Sequence, residues 1–402
     1  MTLLKVLAVA VLASYVGPVF ALAPLRSFVA AAGAHDLCVQ GHYAYVASTD
    51  AGLRIFDIGN SAAPVQVGVF DSPGSATGVA VQNGLAYVAD GTSGLRIVNV
   101  SNPAAPTEVG FYDTPSLALN VAVSGNYAYV ADGYSGSLRI IDVTDPAAPF
   151  EVSSVSATPY VGAFDVAVVG HFCYVPLGPR ICCIDVTDPV HPVFRGWLYT
   201  YSGVVGMVAR DNYVYAAVNY GFEIYNFDNP DAPTLASRWI NPVASGDYDV
   251  YVSGNYLFVA YQDAGFSIFD ISNPASPTYI EYSDTPGTCY GIVTAGCTAY
   301  VADNTTFRLY NISTYAPCPV PRAPEQLVIE PLENQVRLTW PAVTQDTDGA
   351  PIWPYRYTIF RSVAPDGQWD SIGVALPADS IHYTDPYVGG DRGFYQVRAV
   401  AN

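Results

Sequence analysis

An aromatic residue followed by small apolar residues recurs along the first three quarters of the chain, at Tyr45, Tyr87, Tyr129, Tyr174, Tyr215, Phe258 and Tyr300. The spacing stays close to roughly 42 residues, and a fixed period of that length marks an architecture built from one supersecondary unit used many times. The copies are close enough to read by eye. VAVQNGLAYVADGTSGLRIVNVSNPAAP, from Val79, returns as VAVSGNYAYVADGYSGSLRIIDVTDPAAP, from Val121.

Within each unit, apolar or alternating runs of five to seven residues are separated by turn pairs such as Asn83-Gly84, Gly125-Asn126 and Gly254-Asn255. That is the grammar of strands joined by hairpins. The second unit reads as four strands, 78–81, 85–89, 95–100 and 107–112. Four strands per unit, repeated seven times, predict an all-β chain with a seven-bladed β-propeller over residues 22–316. The seventh unit has three strands and then meets Pro319 and Pro321, while residues 25–31 precede the first unit as an outer strand would. The N-terminal strand is therefore expected to complete the last blade and remove its exposed edge.

The third strand and its following turn stand as LRIFDIGNSAAP at Leu53, LRIVNVSNPAAP at Leu95, LRIIDVTDPAAP at Leu138 and FSIFDISNPASP at Phe266, with weaker copies at Ile181, Phe222 and Phe307. These segments resemble the LVIVD repeat family. The resemblance implies an exported bacterial or archaeal propeller and brings no catalytic residues with it. After a Pro-rich linker at 317–323, residues 324–402 are again strand-like. VRLTW around Trp340, YRYTIFRS around Tyr357 and FYQVRAV around Tyr395 resemble a fibronectin type III β-sandwich, which implies Trp340 in the core and Tyr395 as a tyrosine corner. That pattern normally has one strand more than is found before Asn402, which leaves a truncated sequence or an open-edged sandwich.

Residues 1–21 carry Lys5, an apolar run from Val6 to Val16 and small residues around Ala21, the layout of a secretory signal. The run is short for a membrane span of about 20 residues. An extracellular, cell-surface or periplasmic location is expected, with no transmembrane segment in the mature chain. The composition sets the partner class: 35 acidic residues face 16 basic ones, the net charge is −19, and Lys5 is the only lysine. Nucleic-acid binding is excluded, because it needs clustered cations against phosphates. Cations, basic proteins and neutral glycans stay open.

The chemistry of catalysis is missing from the motifs. His35, His42, His171, His191 and His382 have no metal-ligand spacing, and there is no nucleophile elbow and no phosphate loop. Of the five, His35, at the entrance to the first blade, is the one to inspect. The Asp or Asn closing each third strand (Asp57, Asn99, Asp142, Asp185, Asn226, Asp270, Asn311) is read as a turn former. The arginines Arg54, Arg96, Arg139 and Arg308 are read as a pairing ladder between blades.

Loops on one side of the disc, between second and third strands and between successive blades, concentrate Asp50, Asp90, Asp132, Asp263 and Asp303 with Asp71, Asp113, Asp165, Asp247 and Asp284. Tyr134, Tyr160, Tyr201, Tyr248 and Tyr290 stand among them. The expected function is an exported, non-catalytic interaction module that meets a protein or glycan with this Asp- and Tyr-rich face and needs no cofactor or metal. Two alternatives remain: a glycan- or calcium-dependent binder, or a hydrolase or lyase working in the central channel. Seven cysteines leave at least one unpaired, and Cys173 and Cys183, on consecutive strands, are the candidate disulfide.

Overall fold

The computed structural model describes residues 24–28, 33–59, 64–156, 162–240, 247–261, 265–304, 306–315, 327–332, 335–340, 356–362, 370–377, 382–385 and 394–400. The signal-like segment 1–21 and the linker 317–323 lie outside the described residues. Among the described residues, all regular structure is strand. Seven four-stranded antiparallel sheets account for the repeats, and two three-stranded sheets follow them.

Each blade runs from an inner strand outward. In the second blade these strands are Gly78–Gln82, Leu85–Ala89, Leu95–Asn99 and Thr107–Tyr112. The innermost strand of every blade touches that of the next, and Cys289–Ala295 of the seventh touches Asp36–Gln40 of the first, so the ring closes. The seventh sheet takes Pro24–Phe28 as its outer strand, antiparallel to Thr306–Asn311, with Phe28 opposite Phe307. The chain thus ties its two ends into one sheet, as the missing fourth strand after residue 312 required.

The repeat signature has a physical meaning at three positions. The YVA aromatics Tyr45, Tyr87, Tyr129, Tyr174, Tyr215, Phe258 and Tyr300 are all buried, within the apolar layers between neighbouring sheets. All seven Asp or Asn residues closing a third strand accept the backbone N–H two residues on, from Asp57 with Gly59 (2.9 Å) to Asn311 with Ser313 (2.9 Å). They are turn formers, as read. The third position is a bulge in the outer strand: a β-carbon on Gly68 would stand 1.9 Å from Pro103 O, and one on Gly110 would stand 2.1 Å from Pro146 O. Where serine replaces glycine, its hydroxyl donates to the same carbonyl, Ser153 to Pro189 (2.6 Å) and Ser237 to Pro274 (2.7 Å). The proline-rich turn of one blade is seated on the bulge of the blade before it.

Two expectations are corrected. The arginine column pairs within blades rather than between them: Arg139 reaches Asp132 (2.9 Å) and Glu151 (3.4 Å) of its own sheet, and Arg308 reaches Asp303 (2.7 Å). Cys173 and Cys183 are free thiols. Cys173 lies opposite Ile184 and Cys183 opposite Tyr174, so the two face opposite sides of the sheet. Cys173 packs toward blade 3 with Tyr129 and Ile140, and Cys183 toward blade 5 with Met207 and Val214. Burial pushes the Cys183 thiol up to about 12. Cys297, not singled out beforehand, is disulfide-bonded.

In the C-terminal region, Val328–Leu332, Gln335–Thr339 and His382–Asp385 form one sheet, and Arg356–Ser362, Asp370–Pro377 and Phe394–Val400 the other. Leu338, Trp340, Tyr357, Ile359 and Val397 are buried together. Tyr395 donates its hydroxyl to Asp385 (3.1 Å).

Candidate functional site

The inner strands begin on the loop side, and one repeat position at or near that end forms a column: Asp36, Gly78 and Asn120 open their strands, Asp165 stands two residues before Ala167–Val169, and Gly206, Asp249 and Gly291 are the third residues of theirs. The glycines among these positions follow from crowding at the centre of the ring. A β-carbon on Gly78 would come 2.8 Å from the Cα of Asn120, and one on Gly291 would come 3.1 Å from the His35 carbonyl. Each carboxylate then spans two blades. Asp36 accepts from Leu37 N (2.7 Å) and, across the junction, from Val79 N (2.9 Å). Asp165 does so from Val166 and Met207, and Asp249 from Val250 (2.8 Å) and Ile292 (3.0 Å).

All three carboxylates have a raised proton affinity. Burial is the main cause, pushing Asp36 up to about 6 and Asp249 up to about 7, with Asp36 adding repulsion at Asp249. Burial and then the charge of Asp249 hold Asp165 well above the usual carboxylate range. One step toward the loops, the His35 ring stacks on Tyr290 with centroids 5.0 Å apart and holds the Thr77 carbonyl through Nδ1 (2.9 Å). Burial lowers the His35 pKa, so the ring is neutral at pH 7. Among the described residues, no group of three His, Cys, Asp or Glu side chains is placed to hold a metal ion.

The expected Asp-rich face divides into two populations. Asp50, Asp71, Asp113 and Asp284 are exposed. Asp71 meets Arg54 (2.9 Å), and Asp113 stands 3.7 Å from Arg96. Asp90, Asp132 and Asp303 are fully buried and Asp165 is 5% exposed, which corrects the reading of these four as surface carboxylates. Asp90 accepts from Ser72 (2.6 Å) and Gly74 N (2.8 Å), Asp132 from Ser116 N (3.0 Å) and Arg139, and Asp303 from Arg308. They lash the loop arriving from the previous blade to the arginine below it, an internal use that the sequence pattern alone does not separate from an external one.

Tyr134 and Tyr201 are exposed, and Tyr290 is half-buried at the channel mouth. Tyr160 and Asp263 lie outside the described residues, as do the side chains of Asp247 and Tyr248, whose backbone opens the inner strand of blade 6. Sequence reading missed Asp36 and Asp249, whose signal is a column of Asp, Asn and Gly visible only when all seven inner strands are aligned.

Five segments, residues 32–72, 73–114, 117–157, 162–200 and 246–285, match the family described as LVIVD repeat, and together they cover half of the chain. None of the curated proteins matches the chain. Among solved structures, the crystal structure of the computationally designed Ika8 protein is similar at a TM-score of 0.55 and 8% identity, covering 73% of this chain and 99% of that one. At that identity the likeness concerns the fold alone.

Proposed function

Because the chain belongs to the LVIVD repeat family, a β-propeller repeat family, we propose that it is an exported, non-catalytic interaction module that docks a basic protein partner over the channel mouth. The observation that carries this reading is the distribution of charge on the loop face. Asp50, Asp71, Asp113 and Asp284 stand exposed on the loop side of the disc. Carboxylates concentrated on one face of a molecule of net charge −19 attract cationic partners and speed their encounter. The closed ring keeps the loops in fixed relative positions, which limits the entropy lost on docking.

Export is supported by the signal-like residues 1–21 and by the disulfide at Cys297, since such bonds persist in oxidising compartments. The remaining described cysteines are free, and those of blade 4 are buried, where a thiol is inert and acts as a small apolar side chain. No helix among the described residues is long and apolar enough to cross a membrane.

The test is a peptide-display selection on the purified chain, repeated at low and high salt. Lys- and Arg-rich peptides should be enriched, their association should slow as salt rises, and the variant with Asp50, Asp71, Asp113 and Asp284 all changed to Asn should bind them more weakly. Enrichment of neutral or acidic peptides, or equal binding by that variant, would reject the reading.

A further inference from the structure

The first hairpin turn of blade 7 departs from that of the other six blades. In every blade the residue that follows the third strand donates its backbone N–H to one position of this turn, from Ile58 to His42 (2.7 Å) and Val100 to Gly84 (2.8 Å) round to Ile271 to Asn255 (2.7 Å) and Ile312 to Cys297 (2.7 Å). The position holds His42, Gly84, Asn126, His171, Asn212 and Asn255 in blades 1 to 6, all half-buried or exposed, as suits a surface turn. In blade 7 it holds Cys297, which is 4% exposed, and the next residue, Thr298, is 2% exposed where its six counterparts are half-buried. This turn is covered.

The chain has seven cysteines, and Cys38, Cys173, Cys182, Cys183 and Cys289 are free thiols. Cys297 is disulfide-bonded. Within one chain that leaves Cys318, a residue of the linker outside the described residues, as its partner. Cys289 is excluded by its place as well. It opens the inner strand Cys289–Ala295 on the loop side, and at about 3.3 Å per residue that strand holds it roughly 20 Å from the turn.

The chain beyond the third strand of blade 7 heads toward the same turn. In blades 1 to 6 it passes through the proline-rich turn to an outer strand, whereas blade 7 takes its outer strand from Pro24–Phe28, which frees the chain after Ile312 from that route. It folds back at once: Tyr315 N donates to the Ile312 carbonyl (2.8 Å), the Tyr315 hydroxyl donates to Glu281, and the Tyr315 ring stands 6.0 Å from that of Tyr256 at 70°. Tyr256 directly follows Asn255, the blade 6 residue that corresponds to Cys297. Tyr315 thus lies on the turn side of the disc, and three further residues, spanning up to about 10 Å, are enough for Cys318 to reach Cys297.

We infer that Cys297 is bonded to Cys318 and that this bond is a redox-sensitive latch on the blade that closes the ring. Forming it takes one proton and one electron from each thiol, and the acceptor is a disulfide oxidant of the extracytoplasmic compartment, which leaves as two thiols. The supply of that oxidant rests on the export reading; the bond in the purified chain does not. The latch encloses Thr298–Asp303 and Thr306–Asn311, the second of which carries the N-terminal strand, so the sheet on which the ring closes is itself held covalently. It stabilises by restricting the unfolded chain, in which a loop of about 20 residues can no longer open. It also fixes the start of the linker on the turn side, away from the exposed carboxylates of the loop side.

The experiment is peptide mapping by mass spectrometry of the purified, unreduced full chain, after free thiols are blocked under denaturing conditions. Chymotrypsin is the protease, because its cut after Tyr290 separates Cys289 from Cys297. The Cys297 and Cys318 peptides should be recovered joined, with the other five cysteines blocked. Reduction with dithiothreitol should lower the melting temperature by roughly 5–10 °C, the usual effect of opening a disulfide loop of this length. Cys318→Ser should melt like the reduced chain and show no further loss on reduction, which separates the latch from a general effect of the reductant. Because the unaltered chain is compared with itself before and after reduction, the test does not depend on folding of the variant. Blocking of Cys297 in the unreduced chain, its recovery joined to another cysteine or to a second chain, or equal melting of the oxidised and reduced chains would overturn the inference. None of these measurements involves partner binding, so failure of the latch is distinguishable from failure of the acidic docking face.

Discussion

At the scale of single residues, one column shows how a repeat tolerates exceptions. Where a blade keeps the buried acid after its second strand it also keeps the arginine beneath, as in Asp132 with Arg139 and Asp303 with Arg308. Blades 4, 5 and 6 lose both, with Leu177 and Cys182, Val218 and Glu223, Tyr261 and Ser267 at the two positions. Blade 1 breaks the rule: Ser48 stands in the acid position above Arg54, and the buried Ser48 Oγ and Arg54 Nε have no hydrogen-bond partner. An unsatisfied buried polar atom costs about 1–3 kcal/mol. Ser48→Asp should therefore stabilise the chain by about 1 kcal/mol in urea unfolding, while Asp132→Ala, which takes the closer of two carboxylates from the mostly buried Arg139 and leaves Glu151 at 3.4 Å, should cost about 2 kcal/mol. If the first substitution proves destabilising, or the second is silent, the column has been misread.

At the scale of elements, closure rests on one short strand. Pro24–Phe28 covers the edge of Thr306–Asn311 and joins the two ends of the ring. A chain beginning at residue 33 would leave that edge open and should melt at least about 5 °C lower, since a loss of about 1 kcal/mol moves the midpoint of a domain of some 200 residues by 2–4 °C. Equal melting of the two chains would show that closure does not depend on this strand. The same level explains what the sequence made legible. Strands and turns were readable because each is specified locally and seven times over: Asn83-Gly84 needs only its own hairpin, and Asp142 its own turn; closure was readable because the seventh unit lacks a fourth strand and residues 25–31 stand where one would precede the first unit. Function is specified across blades. Asp36 and Asp249 look like ordinary strand residues until their partners Val79 and Ile292, some 43 residues on, are placed beside them. Asp90 and Asp50 occupy similar loops, yet one is buried and the other exposed, because only the fold decides which way a loop carboxylate turns. The Cys173–Cys183 pairing failed for a related reason: consecutive strands suggested opposition, but the true register sets the two on opposite faces of the sheet.

At the scale of the whole molecule, the channel carboxylates couple ring stability to pH. Asp36, Asp165 and Asp249 each join one blade to the next through a backbone N–H, and all three face the same narrow lumen. The groups around them bring no compensating cation: His35 is held neutral by burial, and the thiols Cys38 and Cys289 are raised in part by the charges of Asp36 and Asp249. A carboxyl whose folded pKa lies above the unfolded value of about 3.9 keeps its proton longer in the native ring than in the open chain. Its contribution is therefore complete below about pH 4 and is lost as pH rises through the folded values, about 6 for Asp36, about 7 for Asp249 and higher for Asp165. In that window each extra proton held by the native state lowers stability by about 1.4 kcal/mol per pH unit. Blade 3 already carries the neutral solution, because Asn120 occupies the column and accepts from Val121 N with its amide oxygen. Changing Asp36, Asp165 and Asp249 together to Asn keeps an acceptor oxygen at each junction and removes the mutual repulsion. The unaltered chain should lose melting temperature between pH 5 and pH 8, whereas the triple variant should show a flatter profile and the higher midpoint at pH 8. Parallel profiles for the two chains would mean that the three carboxylates do not govern the pH response of the ring.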